Sequence, residues 1–104
     1  MFEVLIKNIF KTECLKEFRF HDKRRWRSDY ALPEYKIMVE VEGGIFIKGR
    51  HTTGVGFVKD MEKYNTATSM GWSVLRVQPK ELLSTSTIDF IKNTIESKCQ
   101  LKLN

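Results

Sequence analysis

Trp26-Arg27-Ser28-Asp29-Tyr30-Ala31-Leu32-Pro33-Glu34-Tyr35-Lys36-Ile37-Met38-Val39-Glu40-Val41-Glu42-Gly43-Gly44 is the stretch that decides the fold. From Lys36 to Glu42 the residues alternate. Ile37, Val39 and Val41 share one face of a strand, and Met38, Glu40 and Glu42 share the other. In the preceding segment Arg27, Asp29 and Ala31 share a face opposite Trp26, Ser28 and Tyr30. Pro33-Glu34 is a turn signal, so the two segments are expected to pair as a hairpin that brings Asp29 beside Glu40 or Glu42. Like charges that close repel unless a cation lies between them. A hard ion, Mg2+ with Mn2+ as its substitute, suits an all-oxygen donor set better than zinc does. Taken singly, Glu40 or Glu42 reads as the solvated face of an edge strand. The wider set, with His51 and Asp60 downstream, reads as a metal site.

Outward from the hairpin, Phe2, Leu5, Ile6, Ile9 and Phe10 recur at helical spacing and predict a helix from residue 2 to about 13, with Glu3 favoured in its first turn by the helix dipole. Glu17-Phe18-Arg19-Phe20 alternates and predicts a short strand, in which Glu17 is either half of a surface pair with Arg19 or a site residue. The glycine-rich segment from Gly49 to Gly56 lacks the lysine and spacing of a phosphate-cradling loop. A helix is expected from about Gly56 to Ser69, with Phe57, Met61, Tyr64 and Thr68 on the buried face, Asp60 and Lys63 on an adjoining one, and Gly71 as the stop. Trp72 to Val77 is almost continuously apolar, the pattern of a strand in the middle of a covered sheet, closed by Pro79. A last helix is expected to start at a Ser86 cap, with Asp89 completing a capping box and Ile88, Ile91 and Ile95 as its buried stripe. The order α-β-β-β-α-β-α predicts an α/β sandwich around a mixed sheet.

The chain has 104 residues, 41% hydrophobic and 12% aromatic, which suits one domain spanning 1–104. No apolar run is long enough to span a bilayer, Lys7 and Lys11 interrupt any leader-like pattern, and a cytoplasmic protein without membrane partners is expected. Cys14 and Cys99 lie far apart and suit a reducing compartment. The net charge is +5 despite the acids of the candidate site. The excess is densest at Lys23-Arg24-Arg25-Trp26-Arg27, where a polyanion would bind. Cations that hold a nucleic-acid backbone around carboxylates that hold an ion are what phosphodiester cleavage asks for. The chain's two histidines, His21 and His51, form no HxxxH pair, which argues against a zinc hydrolase.

Five motifs taken together carry a family likeness. Arg27-Ser28-Asp29, Val39-Glu40-Val41-Glu42-Gly43-Gly44, Gly49-Arg50-His51-Thr52, Asp60-Met61-Glu62-Lys63-Tyr64-Asn65 and Gly71-Trp72-Ser73-Val74-Leu75-Arg76 resemble the small PD-(D/E)xK nucleases related to very-short-patch repair endonucleases. Phage genomes encode stand-alone versions, and a subgroup of homing endonucleases shares the fold. The likeness runs from about Glu3 to Val77. It implies a restriction-endonuclease-like αβββαβ core and Mg2+-dependent hydrolysis of DNA. The family's acids and histidine would fall on Glu3 or Glu17, Asp29, Glu42, His51 and Asp60, with Glu40 as the acid of the ExK pair. Glu42 stands where the wider superfamily has its lysine, so that function either moves elsewhere, with Lys63 or Lys59 supplying the charge or His51 acting as the base, or is absent. The resemblance thus implies Asp29, Glu40 and Glu42 as metal ligands and Arg24, Arg25, Arg27, Arg50 and Lys59 as contacts to DNA. A domain of this size would grip a long site as a dimer or within a replication or recombination assembly. The alternative is a catalytically inactive DNA-binding module of the same fold.

Overall fold

The computed structural model describes residues 1–43 and 54–103. Within them the chain is a small α/β domain: α1 (Phe2–Phe10), β1 (Leu15–Phe18), β2 (Ser28–Leu32), a 3-10 turn (Pro33–Tyr35), β3 (Ile37–Val41), α2 (Gly54–Ser69), β4 (Ser73–Val77), a second 3-10 turn (Pro79–Glu81) and α3 (Thr85–Leu103). The element order is the one expected. The four strands form one mixed sheet, β1-β2-β3-β4, antiparallel except for the parallel β3–β4 pair.

Helices cover both faces of the sheet. Phe2 and Ile6 of α1 and Ile91 of α3 pack with Leu32, Ile37 and Val39 on one side. Ala67 of α2 packs with Ala31, Met38, Phe20 and Trp72 on the other. In β3, Ile37, Met38, Val39 and Glu40 are all buried, so this strand has core on both sides. No helix among the described residues is long and apolar enough to cross a membrane.

Several local expectations are corrected. Helix α1 stops at Phe10, because Lys11 turns left-handed (φ 55°) while its N–H still reaches the Lys7 carbonyl. Ile9 lies 46% exposed, so the buried stripe is narrower than its apolar residues suggest. Strand β1 begins at Leu15, earlier than the alternation from Glu17 implied. Strand β4 lies at the sheet edge among the described residues, and Val74, Leu75 and Val77 are half-buried there. It is apolar because helices flank both its faces, not because strands flank both its edges. The cap of α3 is Ser84, whose Oγ accepts the Thr87 N–H at 3.3 Å; Ser86 lies inside the helix and Asp89 is exposed. Ile91 is fully buried, with Ile88 and Ile95 packed beside it as expected.

The end of α2 is set as its sequence predicts. Gly71 adopts φ 92°, and the Trp72 N–H reaches back 3.0 Å to the Ala67 carbonyl. The Lys36 ammonium closes the same end by donating to the Met70 carbonyl at 2.7 Å. This closure ties the end of α2 to the start of β3.

Candidate functional site

Glu40 is the one charged residue in the core among the described residues, with 4% of its surface exposed. It lies next to the point where the β2–β3 ladder ends. That ladder pairs Leu32 with Ile37, Ala31 with Met38 and Tyr30 with Val39. One step further, side chains take over from backbone. The Asp29 N–H donates to Glu40 Oε2 at 3.2 Å, and the Val41 N–H donates to Asp29 Oδ2 at 2.7 Å. Two carboxylates are thereby stitched together at the strand ends, each held by a backbone donor of the other strand. A carboxylate is costly to bury unless it gains such partners.

Its main partner comes from α2. Lys63 Nζ lies 2.9 Å from Glu40 Oε1, with both side chains largely buried. Oε1 itself is buried, so the ammonium at this distance is what offsets its charge. Helix α2 is therefore turned relative to expectation: Ala67 is buried and Asp60, Lys63, Tyr64 and Met70 are half-buried along its inner side, whereas Met61 and Thr68 are exposed. Phe57 lies outside the described side chains. The rotation follows from Glu40, because a buried carboxylate is stabilised by a facing ammonium more than by a facing methionine. Burial pushes the Glu40 carboxyl up to about 6, a rise limited by Lys63 and the Asp29 N–H and increased by the Asp29 charge.

A second tier lies beside this one. Arg76 is the register partner of Glu40 across β3–β4. Its Nε donates to Glu42 Oε1 at 2.5 Å, and its guanidinium lies 4.8 Å from the centre of the Tyr64 ring, over which Lys63 Nζ also sits at 5.3 Å. The hydrogen bond with Glu42 raises the Arg76 pKa above its usual value. Burial, followed by the charges of Glu40 and Glu42, pushes the Tyr64 phenol upward, so it stays protonated. Asp60 adds its charge to the field at both Tyr64 and Arg76. The sequence reading passed over Tyr64 and Arg76 as site residues. The signal was present in the spacing, since Arg76 is two residues from Val74 on the face of β4 that meets α2.

Of the two acids left open, Glu17 is the one beside Asp29. Both line a cavity of about 260 Å³ with Lys16, Tyr30, Val41 and Leu82. Glu17 adopts φ 55°, uncommon for a residue with a side chain, and the β1–β2 pairing skips from Lys16–Tyr30 to Phe18–Ser28 around it. Its surface partner is Arg27 at 3.4 Å, not Arg19. Glu3 pairs with the N-terminal ammonium at 3.3 Å, and its own backbone N–H, ahead of that ammonium and Lys16, holds its carboxyl below the usual range. Cys14, buried near Glu3, has its thiol pushed up to about 12, chiefly by burial.

The basic run divides. Arg24 stacks on Trp26 at 4.6 Å and forms an ion pair with Glu62 of α2, which ties the β1–β2 connection to that helix. Trp26 in turn stacks on Phe20, which places its ring against the core. His21 Nδ1 accepts the N–H groups of Lys23 and Arg24 at 3.1 and 2.9 Å, so this histidine organises the loop. Arg25 and Lys59 are exposed, and Arg27 holds Glu17 loosely. Arg50 and His51 lie outside the described residues.

Comparison with protein-family models, with curated proteins and with solved structures finds no match for this chain. The site is therefore read from its own geometry. Among the described residues, no three His, Cys, Asp or Glu side chains gather closely enough to hold a metal by themselves. What does gather is a pair of carboxylates, an ammonium and a guanidinium around one aromatic ring. That set offers two anionic oxygen donors for a cation and two cations for an anionic substrate.

Proposed function

We propose that the chain is a metal-dependent endonuclease acting on DNA, with the restriction-endonuclease-like architecture of the PD-(D/E)xK enzymes. The observation that carries the reading is Glu40 buried between Asp29 and Lys63: an acid from each of two neighbouring strands and a lysine delivered by the following helix. Lys63 takes the role that the resemblance leaves empty at Glu42.

Asp29 and Glu40 fit a magnesium ion in donor chemistry. Both are hard oxygen donors and they adjoin; Glu40 Oε1 is buried and faces the Lys63 ammonium at 2.9 Å, with which an ion would share it. Magnesium is commonly held by one or two protein carboxylates, with waters and phosphate oxygens completing its octahedron. When bound, such an ion supplies Lewis-acid polarisation of the scissile phosphate and an acidified water. The chain's own residues do the rest. Lys63 keeps Glu40 ionised near neutral pH and points its remaining N–H donors at charge developing on the phosphate. Arg25, Arg27, Arg50 and Lys59 hold the DNA backbone, contacts that position without reading sequence. His51 is the further candidate for proton transfer, and Glu17, beside Asp29, is favoured over Glu3 as the additional acid.

One observation favours the second reading, a DNA-binding module without catalysis. The Lys63 ammonium already supplies the positive charge that the paired acids require. Supercoiled, branched and single-stranded DNA incubated with the protein in Mg2+, Mn2+ or EDTA separates the two. Metal-dependent cleavage lost in Asp29→Ala and Lys63→Ala, with DNA binding retained, supports the enzyme. Binding without cleavage of any substrate supports the module.

A further inference from the structure

We propose that Arg76 is the arm that grips a DNA phosphodiester at this site, and that Glu42 is its resident counter-anion, displaced when the phosphate arrives. The proposal rests on the nuclease reading and assigns a substrate contact that the basic run does not provide.

Three features of Arg76 carry it. The first is position: Arg76 is paired with Glu40 in the parallel ladder, so its side chain rises next to the buried carboxylate on the adjoining strand. The second is orientation. The guanidinium lies 4.8 Å from the Tyr64 ring centre and is tethered through Nε to Glu42, so its plane is fixed before any ligand binds. The third is spare capacity. Only Nε has a hydrogen-bond partner among the described residues, and the side chain is 53% exposed while that of Glu42 is 23% exposed. Both Nη groups are thus left to present a planar fork of N–H donors toward solvent, the geometry that guanidinium uses to hold phosphate by two parallel hydrogen bonds.

Glu42 mimics the ligand. A carboxylate and a phosphodiester each carry one negative charge on two equivalent oxygens. Glu42 lies two residues beyond Glu40 and stays nearby once displaced, so the arriving phosphate adds a negative charge that Arg76 and Lys63 must offset. A lysine at position 76 would keep the charge and lose the fork.

The test is anisotropy of a short dye-labelled duplex in EDTA over a series of salt concentrations, with folding of each variant checked by circular dichroism. Arg76→Ala is expected to weaken binding about tenfold and to reduce the salt slope by about one counterion. Arg76→Lys should keep the slope and still lose affinity, and Glu42→Gln should bind more tightly than wild type. Wild-type affinity and slope in Arg76→Ala overturn the proposal, as does weaker binding by Glu42→Gln. If Arg76→Ala does not fold, Arg76→Lys and Glu42→Gln decide by the same criteria. Wild-type protein that neither binds nor cleaves DNA removes the nuclease reading and this proposal with it. Wild-type protein that binds, with Arg76 variants that bind equally, removes only the assignment of Arg76.

Discussion

Replacing Lys63 with methionine should cost about 2 kcal/mol more stability at neutral pH than in mild acid. Glu40 has an ordinary carboxyl pKa of 4.5 when unfolded and about 6 when folded, where burial dominates. A raised folded value means that the native state binds the proton more tightly. The Glu40 contribution is therefore most favourable below about 4.5 and declines as pH rises through 6, by about 2 kcal/mol in total. Lys63→Met removes an ammonium 2.9 Å away that holds the carboxyl down, so the folded value climbs further. Protonation limits the damage. At a pH of about 7.5 a fully protonated Glu40 costs about 4 kcal/mol against its unfolded state, only about 2 kcal/mol more than the wild-type carboxylate costs. At a pH of about 5 both proteins hold Glu40 mostly protonated, and the titration difference falls to roughly 0.1 kcal/mol. Asp29 faces the same carboxylate from β2, while Tyr64, Arg76 and Glu42 flank the pair; none of these changes in the variant. Urea unfolding in EDTA at the two pH values isolates the effect, because methionine packing is common to both. Equal destabilisation at the two pH values, or a larger loss in acid, would refute the reasoning.

Other perturbations separate structural from functional roles. Glu17→Gly should stabilise the fold by up to about 1 kcal/mol by relieving the left-handed backbone, seen as a raised thermal midpoint, while lowering any metal-dependent cleavage. Arg24→Ala should lower the thermal midpoint through loss of a stacked cation worth roughly 0.5–1 kcal/mol, with DNA affinity nearly unchanged, because Trp26 and Glu62 already engage that side chain. Ser84→Ala should cost about 1 kcal/mol in denaturant unfolding and Ser86→Ala close to nothing, which locates the α3 cap. Asp29→Asn should abolish cleavage while the protein stays folded, since an amide oxygen can still accept the Val41 N–H.

Strand periodicity made most of the hairpin legible. Alternation from Lys36 to Glu42 put Glu40 on the face of Met38, opposite Ile37 and Val39, and Pro33 placed the turn, because both signals are local. The rotation of α2 was not legible, because apolar periodicity assumes that the buried face is apolar. Here Met61 is 49% exposed and Val58 62% exposed, while Lys63 turns inward to a charge that lies more than twenty residues away in sequence. The place of β4 in the sheet was hidden for a similar reason: a strand flanked by helices on both faces reads the same at an edge as at the centre. Nor does a charge run reveal its own pairing. Arg24, Arg25 and Arg27 look equivalent in sequence, yet one is clamped to α2, one is exposed and one rests on Glu17.

That last distinction bears on how so small a domain would hold its substrate. A phosphate grip needs a cation whose position is fixed but whose donors are free, and the two requirements conflict on a loop. Arg24 meets the first by giving up the second, and Arg25 does the reverse. Arg76 meets both, because a strand fixes its Cα beside Glu40, an aromatic ring fixes its plane, and among the described residues only one edge of the guanidinium is engaged. Lys63 repeats the logic from the layer above the sheet: α2 fixes its Cα, and its ammonium meets the buried Glu40 carboxylate at 2.9 Å. With Lys63 serving Glu40 from the helix, Glu42 is left to pair with Arg76 of β4, so each of the two carboxylates takes its cation from a different neighbour, and the pairing that orients Arg76 depends on the one that neutralises Glu40.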